Sequence, residues 1–458
     1  MTSFYVKNFG CRAAQADGAA IERQFRQFGL ESADSANLAE IVVLNTCTVT
    51  ASADQDARAT IRKIHRENPG CQMVVTGCYA QRAPEEIANL PAVTKIVGNS
   101  HKHRLAEIVL AAGPSHSNIN SLVSISDLRT SENRLFVSDI FAHTELLAAP
   151  VFDAANERTR PNLKVQDGCN NRCSFCVIPH VRGQSRSLHL EEILREVNAL
   201  VCSGYREVVV SGINLGRWGR DLPKDKDEES RAFRFEDLVR AIVDQTSLEK
   251  LRISSVEPMD WSDELISLMA GSPRIAKHAH VPMQSGSDRV LRLMHRKYRP
   301  WHYREKIGKI RAAMPNAAIG ADVMVGFPGE SGADFAETHR MIAELAFTYL
   351  HVFTYSARPG TPAASMSNQV PVHVARERNR ILRELAEKKK LEFMHSFIGE
   401  QIEAITLNQT HHERGRDFTE ALTTNFLKLR LAGLHPANHW MQVEVNNVEA
   451  GSLFGVVA

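Results

Sequence analysis

The sequence predicts an α/β chain in three parts: an N-terminal parallel α/β domain, a central open (βα)6 partial barrel and a small C-terminal β-barrel. Three observations predict it. Short apolar runs alternate with helical periodicity through residues 1–112. Strand-like and helix-like patterns then recur as βα units between residues 159 and 392. From about Phe397 strand-like runs follow one another with no helix between them.

The first part opens with FYVKNFGC and a helical stretch from Ala13 to Phe28. EIVVLNTC follows, then a helix from Ser52 to Glu67, QMVVTGC, a short helix near Glu85 and KIVGN. Three of these strands end at a cysteine: Cys11, Cys47 and Cys78. One buried cysteine near a strand end is a small packing residue. Three at equivalent ends of one parallel sheet point to a shared site, because ligands collect outside the carboxyl ends of such strands. Cys71 and Cys202 have no such placement and are read as packing or surface thiols.

The passage AAGPSHSNINS and the weakly patterned stretch after it make 113–158 a connector. The central part runs through the strands NLKVQDGC, REVVVSG, LEKLRISSVEP, KHAHVPMQSG, AAIGADVMVGFPGE and YLHVFTYS. Helical patterns such as LEEILREVNALVCSG and DFAETHRMIAEL separate them. Functional groups are expected on loops at the strand C-termini. A charged insertion at 220–233 reads as a surface loop. EQIEAITL, NFLKLRL, WMQVEVNNV and SLFGVVA form the small β domain, residues 396–458.

With 43% hydrophobic and 24% charged residues among 458, the chain can bury a substantial core. No apolar run is long enough to cross a bilayer, and MTSFYVKNFGC lacks the build of a secretory signal. The expected location is the cytoplasm, where clustered cysteines mean metal or catalysis rather than disulfides. A formal charge of +2 gives no global pull on nucleic acid. The basic stretch 374–392 reads either as a solvated helix with Glu partners or as a strip facing RNA.

The segment CNNRCSFC places Cys169, Cys173 and Cys176 directly after the first central strand. With His180 they form a Cys3His set suited to structural zinc. Alternatively, three thiolates hold a 4Fe-4S cluster and leave one iron without a protein ligand. That iron can chelate S-adenosylmethionine, whose reductive cleavage yields a 5′-deoxyadenosyl radical.

The spacing C-x3-C-x2-C, with the aromatic Phe175 before its last cysteine, resembles that of radical S-adenosylmethionine enzymes. QDGCNNRCSFCVIPHVRGQSRS resembles the methylthiotransferase family in particular. Pro179, Arg182, Gly183, Arg186 and Ser187 match its P-x-x-R-G-x-x-R-S pattern. HVPMQSGSDRVLRLMHRKY, GADVMVGFPGES and VFTYSARPGTPA extend the resemblance over nearly the whole chain. It implies a second 4Fe-4S cluster on Cys11, Cys47 and Cys78, a C-terminal TRAM module that binds RNA, and a thiomethylated product. One S-adenosylmethionine is the methyl donor and another the radical source. One departure is Ala14, where the family usually has Asn; Gln15 and Asp17 keep the neighbouring polar pattern.

By matching position, Ser211 and Gly212 contact the methionyl amino group, and Phe175, Ser254, Ser255, Glu257 and Gln284 line the cofactor site. Arg186 suits the methionyl carboxylate, since a guanidinium binds a carboxylate through two parallel hydrogen bonds. NTCTVTASAD, SSVEP and GINLGRWG resemble the branch acting on N6-threonylcarbamoyladenosine in tRNA. The other branches act on N6-isopentenyladenosine in tRNA and on a ribosomal-protein aspartate. The expected partners are a tRNA anticodon loop, a reducing protein and a sulfur donor, with no membrane. Phe426, Lys428, Arg430 and Trp440 are the RNA-facing candidates, their alternative being sheet core and solvated face. The non-enzymatic alternative is a zinc-stabilised RNA-binding protein.

Overall fold

The computed structural model describes residues 2–111, 134–143, 146, 159–223, 233–413 and 415–458. They divide into two compact units, one drawn from Met1–Ala149, Gly168–Asn170 and Val177–Gln184, the other from Pro150–Asp167, Asn171–Cys176 and Ser185–Ala458.

The first unit contains β1 (Ser3–Asn8), α1 (Arg12–Gln27), β2 (Glu31–Ser32), β3 (Ile41–Thr46), α2 (Ala51–Glu67) and β4 (Gln72–Gly77). It continues with α3 (Cys78–Arg82), α4 (Pro84–Ala88), β5 (Val93–Val97), α5 (Leu105–Leu110) and β6 (Leu135–Phe136). The strands form one parallel sheet in the order β2-β1-β3-β4-β5-β6. β3 is buried along its whole length, which is why it reads as an unbroken apolar run rather than an alternating one. One face packs Leu44, Ile61, Val75 and Ile87, and the other packs Phe4, Ile21, Phe25 and Val43. The strand order reverses between β1 and β3, and in doubly wound sheets ligands bind at that switch point. Within the stretch read as a connector, Leu135–Phe136 is the edge strand β6, paired with β5. Residues 112–133, 144–145 and 147–158 lie outside the described residues.

The second unit opens with β7 (Asn162–Asp167). The cysteine loop then leads to α6 (Ile178–Arg182), whose residues belong to the first unit. β8 (Arg186–Ser187), α7 (Leu190–Cys202), β9 (Glu207–Gly212), α8 (Phe235–Gln245), β10 (Lys250–Ile253) and α9 (Asp263–Gly271) follow. Next come β11 (His278–His280), α10 (Asp288–Leu293), α11 (Pro300–Ala313), β12 (Ala318–Val325), α12 (Gly332–Glu344), β13 (Tyr349–Thr354) and α13 (Val372–His395). β7, β9 and β10 pair in parallel, as do β11, β12 and β13. Single bridges Leu251–Ile275 and Ser255–His280 join the two sets into the predicted open series. Most of the 220–233 insertion, 224–232, lies outside the described residues.

β14 (Gln401–Glu413), β15 (Arg416–Thr423), β16 (Lys428–Ala432), β17 (Trp440–Glu449) and β18 (Ser452–Val457) close into a five-stranded barrel. This barrel docks on the N-terminal ends of the central strands. Arg252, ion-paired to Glu207 at 2.6 Å, donates to the carbonyls of Thr423 and Thr424. Phe426 stacks 4.5 Å from His278, and Lys250 lies over the Trp440 ring. These two aromatics therefore pack against the central strands. Lys428 is exposed, and Arg430 lies over Phe454.

Candidate active site

In the first unit the thiols are delivered by the sheet. Cys11 follows β1 and caps α1, Cys47 follows β3, and Cys78 starts α3 directly after β4. Gly10 adopts φ +88°, and a Cβ there would stand 2.8 Å from the Cys47 sulfur. Only glycine leaves that approach open. Gly77 is tied in the same way, since a Cβ would meet Thr46 backbone at 2.4 Å. Burial pushes the Cys47 thiol up to about 11, and the nearby Cys78 and Cys11 push in the same direction. Three thiolates here repel one another unless a cation lies among them. The donor set and the space at Gly10 fit an iron–sulfur cluster on Cys11, Cys47 and Cys78.

Behind the trio lies a buried charge network that sequence reasoning missed. Lys102 donates to Asp17 at 3.0 Å and to Asn45 at 3.2 Å, and Arg182 reaches the same Asp17 oxygen at 3.0 Å. Desolvation lowers the pKa of Lys102, against the pull of Asp17. Arg182 is the arginine of P-x-x-R-G, and its glycine, Gly183, adopts φ +73° and accepts from Cys169 N at 3.0 Å. Asn99 donates to the Cys78 sulfur at 3.5 Å and to the Val181 carbonyl at 2.7 Å. The side chain at Ala14 is buried, and Asn45 donates to its carbonyl at 2.6 Å. His180 is exposed, its ring edge-on to Phe141. Among the described residues no three His, Cys, Asp or Glu side chains are grouped to hold a single metal ion.

In the second unit, Ser174 pins the loop carrying Cys173 and Cys176. Its N–H donates to Met294 O at 3.1 Å, its hydroxyl to Leu293 O at 2.7 Å, and its carbonyl accepts from Ala363 N at 2.8 Å. Phe175 packs edge-on to Phe327 in an apolar cluster with Val290 and Met294. Arg296, a second residue that sequence reasoning missed, donates to the Cys173 sulfur at 3.2 Å and ion-pairs with Glu257. Its guanidinium lies 5.0 Å from the Tyr298 ring centre. Burial raises the pKa of the Glu257 carboxyl, and Arg296 opposes the shift. Arg296 carried no signal in its own local sequence, MHRKY, beyond being one more cation.

The other predicted residues sit at the strand ends. Ser211 Oγ and Gln284 Oε1 are buried and have no hydrogen-bond partner among the described residues. Buried polar atoms left this way call for a hydrogen-bond partner. Gln284 also adopts φ +61°. A Cβ on Gly212 would stand 2.9 Å from Gln166 Oε1, so a side chain at this strand end crowds Gln166. Ser255 Oγ is 2.9 Å from His280 Nδ1, Ser254 N–H bonds Val210 O, and Arg186 lies opposite Asp167 in the antiparallel register of β8 and β7. These atoms suit the amino, carboxylate and ribose groups of S-adenosylmethionine.

Comparison with known proteins follows the same division. The family described as Uncharacterized protein family UPF0004 matches residues 3–98, and the Radical SAM superfamily matches residues 163–342. The chain is 35% identical to the threonylcarbamoyladenosine tRNA methylthiotransferase MtaB of Bacillus subtilis, covering 94% of this chain and 91% of that protein. It is 35% identical to the MtaB of Aquifex aeolicus, over 93% and 96%. The tRNA-2-methylthio-N(6)-dimethylallyladenosine synthase of Thermobifida fusca is 34% identical, over 88% and 77%. In fold the chain resembles the radical S-adenosylmethionine methyltransferase TsrM of Kitasatospora setae, with TM-score 0.55, 14% identity, and coverage of 80% and 77%. Among the described residues no helix is long and apolar enough to cross a membrane. Two thiol sets, a parallel switch-point sheet and these near-full-length relatives together place the chain in the radical S-adenosylmethionine methylthiotransferase family.

Proposed function

We propose that this chain attaches a methylthio group to carbon 2 of N6-threonylcarbamoyladenosine at position 37 of tRNA. The observation that carries the reading is the pair of three-thiol sets, one at the switch point and one on the loop after β7, in a chain so closely related to enzymes named for this reaction. When bound, two 4Fe-4S clusters and S-adenosylmethionine supply the radical and the methylated sulfur that the reaction needs.

Cys11, Cys47 and Cys78 hold one cluster, with Lys102 and Arg182 offsetting its negative charge. Cys169, Cys173 and Cys176 hold the other. Arg296 fixes the Cys173 sulfur, and Glu257 acts through Arg296 by fixing its orientation. Ser211, Gly212, Ser254, Ser255, Gln284 and Arg186 bind S-adenosylmethionine, while Phe175 anchors the loop beneath it. The tRNA anticodon loop is the macromolecular partner, with Lys428 and the exposed cations of α13 meeting its phosphates. A reducing protein supplies the electrons and a sulfur donor replaces the sulfur transferred, both in the cytoplasm.

The test is nucleoside mass spectrometry of tRNA from a strain lacking the gene. The 2-methylthio derivative of N6-threonylcarbamoyladenosine should disappear and return with the wild-type gene but not with Cys47→Ala. If that nucleoside persists and the methylthiolated isopentenyladenosine is lost instead, the reading of the dimethylallyladenosine-type relative takes its place.

A further inference from the structure

We infer that the indentation beside Cys173 is a carboxylate-binding subsite that reads the threonyl carboxylate of the substrate, an assignment that rests on the function proposed above. The indentation is small, about 20 Å³, and is lined by Cys173, Arg217, Glu257, Arg296 and Lys297. That volume admits the end of a polar group, not a base.

Its charge is unbalanced. Arg217 and Arg220 share one carboxylate, Asp260, at 3.0 and 2.9 Å. Arg296 pairs with Glu257. Lys297 is exposed and has no ion pair among the described residues. Three cations, Arg217, Arg296 and Lys297, therefore line the indentation with one carboxylate, Glu257, which Arg296 already engages. An incoming anion meets surplus positive charge on donors built to bind oxygen.

The loops that bring these groups together are held rigidly. A Cβ on Gly216 would stand 2.5 Å from the Asp260 Cβ, so the loop after β9 packs directly on the loop after β10. Trp218 Nε1 donates to Leu188 O at 3.0 Å and Trp261 Nε1 to Val256 O at 3.1 Å, which anchors each loop in the core. GINLGRWG and SSVEP are two of the segments that resemble the threonylcarbamoyl branch, and the fold closes both on one spot. A threonylcarbamoyl group carries a carboxylate; an isopentenyl group carries no charge. The methionyl carboxylate of S-adenosylmethionine offers the same chemistry. It is common to every branch, however, so segments that carry the resemblance to the threonylcarbamoyl branch are better matched to the part of the substrate peculiar to that branch.

The experiment uses the reconstituted holoenzyme and anticodon stem-loops bearing N6-threonylcarbamoyladenosine or its neutral carboxamide, with wild type, Lys297→Gln and Arg217→Gln. The wild type should lose about tenfold to a hundredfold in kcat/KM on the carboxamide, the range of a charge-assisted hydrogen bond. The variants should show a similar loss on the carboxylate substrate, mostly in KM, and almost none on the carboxamide. Iron content and the KM for S-adenosylmethionine should stay unchanged. Equal turnover of both stem-loops by the wild type would overturn the subsite while leaving the function standing, and needs no variant to fold. Variants that raise the KM for S-adenosylmethionine and lose activity equally on both stem-loops would reassign the pocket to the methionyl carboxylate. A loaded wild type that modifies neither stem-loop would overturn the function and the subsite together.

Discussion

Cys11, Cys47 and Cys78 come from three strand ends far apart in the chain, whereas Cys169, Cys173 and Cys176 sit within one eight-residue stretch. The first set is placed by a whole sheet and backed by buried Asp17, Lys102 and Arg182. The second depends on a loop held by a few bonds, chiefly those of Ser174 and Arg296. Topology builds one site and local sequence the other. Disturbing the first therefore endangers folding, while disturbing the second changes how the site is tuned.

The largest expected effect is on metal content. Cys47→Ala and Cys173→Ala should each lower iron from about eight to about four per chain and abolish methylthiolation, as two independent four-iron sites require. Cys71→Ala, a buried packing thiol, should leave iron unchanged. Loss of all iron in either of the first two variants would show that the sites are not separable.

Lys102→Met should be costly to the first site alone. It strands buried Asp17 with one partner fewer, and breaking a buried pair costs about 3–5 kcal/mol. Urea unfolding of the first unit's transition checks this, and a loss below about 1 kcal/mol would remove the network from the account. Gly10→Ala adds a methyl against Cys47 at a left-handed position. It should destabilise the chain by about 1–3 kcal/mol and reduce iron on the first site more than on the second.

The matching perturbation of the loop is gentler. Arg296→Lys keeps the charge but loses the fork that reaches Cys173 and Glu257 together. A charge-assisted hydrogen bond worth about 1.4 kcal/mol corresponds to roughly 60 mV for one electron. Redox titration followed by electron paramagnetic resonance should show the loop cluster lowered by a shift of that order, the switch-point cluster unmoved and the chain stable.

The smallest effect lies away from both sites. Asp334 caps α12 through Ser331 and also accepts from Ser287 and Arg289. Burial alone would raise its pKa, but these bonds hold it well below the usual carboxylate range. A depressed folded value gives stability that is present above the unfolded Asp value, about 3.9, and lost as pH falls below it. Asp334→Asn should cost about 1 kcal/mol at pH 7 and flatten the acid limb of unfolding.

Much of this architecture was legible in the sequence because its signals are periodic or local. Buried parallel strands such as IVVLNT read as apolar runs, and the close spacing of CNNRCSFC announces itself. The strand-end cysteines were legible because each follows an apolar run within a few residues. The partners of these thiols were not. Arg296 is more than a hundred residues from Cys173, and Lys102 meets Asp17 only after the sheet has formed. Glu257 could be placed at a strand end but not paired. For Phe426 and Trp440 both sheet core and an RNA-facing role were legible, but their packing was not, because the docking of the β-barrel on the central strands depends on Arg252 and Lys250, which are distant in sequence.

The account rests most heavily on a cluster site that the N-terminal sheet builds by itself. The direct measurement is iron and acid-labile sulfide in the anaerobically purified triple variant C169A/C173A/C176A, with electron paramagnetic resonance after reduction. About four irons and four sulfides per chain, with the signal of a reduced four-iron cluster, are predicted. Zinc without sulfide, or no metal at all, would contradict it.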